Sequence, residues 1–82
     1  MNDGEEETQM NQNISVLDAV TLTQDLPEQK LMRGQVGTVV EQLAPDAYEV
    51  EFVSTEGKTY ALLPLRAEQI MVLHYEPVQA SR

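Results

Sequence analysis

Eighty-two residues without a cysteine make one domain whose stability must come from packing or from a partner, since neither a disulfide framework nor a thiolate metal site can reinforce it. Five Lys and Arg against fourteen Asp and Glu give a net charge of −9, which repels phosphate backbones and disfavours direct nucleic-acid binding. No run approaches the roughly 20 apolar residues of a membrane helix, and the acidic start Met-Asn-Asp-Gly-Glu-Glu-Glu is unlike a secretory signal, so a cytoplasmic protein with no membrane partner is expected.

Residues 1–13 carry Asp3, Glu5, Glu6 and Glu7, with Met1 and Met10 as their apolar side chains. They bury too little to offset the entropy of ordering, which predicts a disordered acidic arm. Residues 16–22 read as a first strand, with Val16, Val20 and Leu22 on one face, followed by a polar loop at 23–30. Gly34 suits a left-handed turn before a second, β-branched strand at 36–43. Inside that strand, Gly37 implies a bulge or a close backbone approach.

Pro45-Asp46 is a turn: proline presets φ and aspartate can bond its own backbone. Residues 48–53 then alternate cleanly, Tyr48, Val50 and Phe52 on one face and Glu49 and Glu51 on the other, the mark of a half-buried antiparallel strand. A hairpin loop at 55–58 uses Gly57 for positive φ. Residues 59–63 form the fourth strand, and Pro64, which cannot donate to a ladder, belongs at its end or on an edge. One short helical turn at 65–69 precedes a fifth strand at 70–74. The predicted fold is all-β, a small closed or nearly closed five-stranded antiparallel sheet over 14–77, with a flexible tail at 78–82.

The run Leu31-x-x-Gly34-x-x-Gly37-Thr38-Val39-Val40, followed by Tyr48-x-Val50-Glu51-Phe52 and Gly57-Lys58-Thr59, resembles the small SH3-like barrels of the translation and transcription type. With Asp25-Leu26-Pro27 and Tyr60-Ala61-Leu62 added, over about residues 16–76, it resembles still more closely a bacterial family of small stand-alone proteins of unknown function. The resemblance implies a five-stranded SH3-like barrel, and its association with toxin-like partners implies an antitoxin or immunity role. The SH3-like relatives that bind nucleic acid carry basic and aromatic surfaces, from which this acidic chain departs.

Several segments could carry function. The loop containing Asp25, Leu26 and Pro27 holds the position where SH3-like barrels often contact ligands; the competing reading has Leu26 as a packing plug and Pro27 as a stiffener. Glu49 and Glu51, with Glu41 across a hairpin, could form an acidic stripe that meets a basic protein surface or merely a solvated face, with Lys58 to offset the repulsion. Leu63, Leu65, Met71, Leu73 and Tyr75 make both faces of the last two strands apolar. A small barrel has one inside, so some of these side chains must be covered by a partner, by a second copy, by the arm, or by Pro77-Val78.

Catalytic chemistry is not expected. His74 is the sole histidine and reads as an ordinary strand residue, a poor metal ligand without companions. Gly57-Lys58-Thr59 lacks the upstream glycine of a phosphate loop. The expectation is therefore a non-enzymatic protein-binding module without cofactor, an antitoxin, immunity or accessory protein that neutralises or stabilises a partner. The alternatives are a nucleic-acid-associated SH3-like domain and a self-associating homodimer.

Overall fold

The computed structural model describes residues 13–75. The arm expected at 1–13, Asn13 apart, and the tail expected at 78–82 lie outside them. Five strands follow in chain order: β1 (Ala19–Leu22), β2 (Val36–Ala44), β3 (Ala47–Val53), β4 (Thr59–Arg66) and β5 (Ile70–Val72). They form one antiparallel sheet in the order β4-β3-β2-β1-β5. Two short 3-10 turns, Pro27–Gln29 and Ala67–Gln69, are the helical elements of the described residues. The second is the helical turn expected before the last strand; the first lies in the loop between β1 and β2, where none was expected.

The sheet is not closed into a barrel: β4 and β5 are its two edges and do not pair with each other. β5 is only three residues long, and the Arg66 N–H at the end of β4 goes to the Gln69 side chain at 2.8 Å, so no ladder joins them.

One core forms all the same, because β2 serves both halves of the sheet. Val36, Gly37 and Thr38 pair with β1, whereas Thr38 to Ala44 pair with β3. The inward residues Val20, Leu22 and Ile70 from one half and Val39, Tyr48, Val50, Phe52 and Leu65 from the other gather in a single buried cluster. Tyr48, Val50 and Phe52 alternate inward as their period-2 pattern predicts, while Glu49 and Glu51 are half-exposed. Each large side chain withdrawn from water contributes about 1.5–3 kcal/mol.

The fold-over needs Gly37. A Cβ built there would lie 2.7 Å from Val50 Cγ1 and 2.9 Å from the Glu51 carbonyl oxygen, closer than real side chains approach. Of the two alternatives for this glycine, the close backbone approach is therefore the one realised; the register shifts of β2 fall later, between Val39 and Glu41 and between Gln42 and Ala44. Gly34 and Gly57 adopt positive φ, 95° and 86°, as turns at those positions require.

Three boundaries differ from expectation. β1 begins at Ala19, because the chain before it makes a tight turn: the Asp18 carboxylate accepts the Ser15 N–H at 2.8 Å, and Leu17 sits at φ 82° with its N–H donated to the Val39 carbonyl. Val16 consequently faces solvent instead of joining Val20 and Leu22. β4 runs on through Pro64 to Arg66, which an edge strand tolerates because a proline there forfeits only an outward donor. β5 ends at Val72, so His74 follows the strand and is exposed.

Candidate interaction surface

On β4 the inward positions are Ala61, Leu63 and Leu65, set by their ladder partners Phe52, Val50 and Tyr48. Leu65 is 3% exposed and belongs to the core; Leu63 packs against it half-buried. Neither supplies the exposed apolar surface expected of them. The side chains that do stand out from β4 are Tyr60 and Leu62, 49% and 55% exposed. Periodicity showed that β4 has two apolar faces, but only the pairing with Tyr48, Val50 and Phe52 decides which one is inside.

A second outward row crosses the other half of the sheet. Thr21 pairs with Val36 on one side and Met71 on the other, and Val36 and Met71 are each about half exposed. Met71 was among the expected contact residues, and this pairing places Val36 on the same face, across Thr21 from it. Past Met71, an open hollow of about 340 Å³ is lined by Thr21, Leu22, Thr23, Arg33, Gly34 and Met71. Leu73 is half-buried and Tyr75 almost fully exposed beyond β5.

The carboxylates lie on the outer face of β2–β3–β4. Glu41 stands directly opposite Glu49, a like-charge pairing that costs stability. Glu51 is flanked by Thr38 and Leu62 and accepts the Thr59 hydroxyl at 2.5 Å. Lys58 does not offset these charges: among the described residues the ion pair is Arg66–Glu68, at 3.0 Å between exposed side chains. Also among the described residues, no group of three His, Cys, Asp or Glu could hold a metal ion, and no helix is long and apolar enough to cross a membrane.

The loop after β1 is held from within. Asp25 Oδ1 accepts the Arg33 N–H at 2.8 Å, Leu26 and Leu31 exchange two backbone hydrogen bonds, and Pro27 opens the 3-10 turn. Leu26 packs against the core. Gln35 ties this loop to both halves of the sheet. Its carbonyl accepts from the Leu22 N–H at 2.9 Å and the Thr21 hydroxyl at 3.2 Å. Its side-chain oxygen accepts the Met32 N–H at 2.6 Å, and its amide nitrogen donates to the Tyr60 hydroxyl at 3.1 Å.

Gln35→Ala removes both side-chain bonds and leaves the backbone ones. It should cost about 1 kcal/mol, read as a lower thermal midpoint together with faster hydrogen exchange at the Met32 amide. An unchanged Met32 exchange rate would show that the turn stands without Gln35.

Against this geometry, a family model described as a domain of unknown function (DUF4926) matches residues 16–72, a span that contains all five strands. No curated protein and no solved structure matches the chain.

Proposed function

We propose that this chain, which belongs to the family described as a domain of unknown function (DUF4926), is a non-enzymatic cytoplasmic protein-binding module. The observation that carries the reading is the outward row Val36–Thr21–Met71: two half-exposed apolar side chains that flank Thr21 on one face of three adjacent strands. Exposed apolar side chains that share one sheet face supply the apolar centre around which an interface can form. The net charge of −9 and the outward Glu41, Glu49 and Glu51 suit a partner with a basic rim, whose approach they would accelerate. Such a surface fits an antitoxin, immunity or accessory protein that neutralises or stabilises its partner. The strand order β4-β3-β2-β1-β5, with a 3-10 turn before β5, supports an SH3-like reading of the sheet.

The test is purification of the tagged full chain from its native cell, beside the double variant Val36→Asp, Met71→Asp. Both positions face outward and lie outside the buried cluster, so the variant should stay folded at 25 °C, with a lower unfolding temperature that circular dichroism records. The parent should retain a stoichiometric protein through a salt wash and the variant should lose it, with association slowing as ionic strength rises. Equal retention by the two proteins, or recovery of the parent alone, would overturn the reading.

A further inference from the structure

The free edge of β4 is half closed, and the half that remains open has the chemistry of a docking strand. The Ala67 N–H donates inward, to the Asp46 carbonyl at 2.8 Å, while the Arg66 N–H donates away from β3, to Gln69 Oε1 at 2.8 Å. With strand alternation, the backbone groups of Leu62 and Pro64 point outward like those of Arg66. Pro64 has no N–H, and that of Arg66 is taken. The C-terminal part of the edge therefore offers a neighbouring strand no donor, a common guard against edge-to-edge pairing. Leu62 lies beyond the guard, with its N–H and C=O directed outward and its side chain 55% exposed beside Tyr60.

We propose that residues 60–64 receive an extended, basic segment of the partner as an added strand, an inference that rests on the protein-binding reading above. Charge chooses the occupant. Glu51 lies opposite Leu62 and Glu49 opposite Pro64 on β3, and neither forms an ion pair among the described residues. A strand added to β4 would lie two strand spacings, about 10 Å, from β3. Outward Arg or Lys side chains on it would lay their stems over Leu62 and bring their charges to these carboxylates. The backbone bonds supply the attachment and the carboxylates the selectivity, the division of labour usual in strand addition.

The probe is a synthetic peptide alternating Arg and Val, titrated into the full chain at low salt, with a Glu–Val peptide as its counterpart. Arg–Val should slow hydrogen exchange at the Leu62 amide at least tenfold and bind more weakly as salt rises; Glu–Val should do neither. Leu62→Pro, which removes the outward donor together with the side chain that receives the stems, should weaken binding, whereas Pro64→Thr, which only adds a donor, should strengthen it. Glu49→Gln with Glu51→Gln should erase the preference for Arg–Val without altering the fold.

The proposal falls if Leu62 stays unprotected, if both peptides bind alike, or if light scattering without peptide shows a dimer that Leu62→Pro dissociates. A native partner that is lost with the Val36/Met71 variant but retained by Leu62→Pro would overturn the docking strand and leave the protein-binding reading standing. A native partner indifferent to both variants would remove the two together.

Discussion

Phe52→Ala should bring the domain to the margin of stability at 25 °C. Phe52 is fully buried and lies at the junction of the two halves of the sheet, its ring edge against the Gly37 position and its ring centroid 6.2 Å from that of Tyr60. Truncating a buried phenylalanine costs about 3–5 kcal/mol, the transfer of the ring plus the cavity left behind. A domain of this size holds on the order of 5 kcal/mol in all, and this one has no cysteine to cross-link it. Urea titration followed by near-ultraviolet circular dichroism measures the effect. The denaturation midpoint should fall close to zero urea; a loss below about 1 kcal/mol would mean that the core is not centred on this ring.

Gly37→Ala should cost about 1–3 kcal/mol for the addition of one methyl group. The Val50 side chain can turn aside from a new Cβ, but the Glu51 carbonyl, 2.9 Å away, is backbone and bonded within the sheet. Relief requires β2 to lift from β3 where it passes from one half to the other, loosening the buried cluster to which Val20 and Phe52 both belong. At Gly34 a Cβ would meet nothing within 4 Å, and the cost there is conformational because φ is 95°. The two glycines are thus separable by calorimetry. Gly34→Asn should cost less than Gly34→Ala, since asparagine tolerates positive φ better, whereas at Gly37 the two should both lower the unfolding temperature by several degrees, through the close approach. Equal tolerance at both positions would show that β2 does not need the close approach.

The edge of β4 shows how stability and recognition share the same residues. Pro64 would weaken a central strand, yet in this position it costs the ladder nothing and denies a donor to a would-be neighbour. The Gln69 side chain does the same for Arg66. The Glu41–Glu49 opposition on the outer face is an expense that packing does not require. A basic partner would relieve it on binding.

Much of the fold was legible in the residues themselves. The inward set Tyr48, Val50 and Phe52, the turns at Gly34 and Gly57 and the five strands all follow from alternation and turn chemistry, which act over a few neighbouring residues, whereas at Gly37 a bulge and a close approach stayed open until β3 was in place. The start of β1 was not legible. Its preceding turn depends on Val39 accepting the Leu17 N–H, a contact across more than twenty residues, although Ser15 and Asp18 three apart were a local sign of it.

The candidate surface was legible only in part. Met71, Glu49 and Glu51 could be named from the sequence, and the excess of apolar residues near the C-terminus was plain from composition. Which of them face outward was settled elsewhere. Leu65 was drawn into the core by Tyr48, while Leu62 was left outside beside Glu51; Val36 and Met71 came onto one face, on either side of Thr21, because β1 lies between their strands. The sequence by itself determined a small acidic all-β domain with two apolar faces on its later strands. Only the tertiary structure decided which face is the inside, where the edges lie and how far the sheet closes, because a period of two is symmetric until a partner strand breaks the tie.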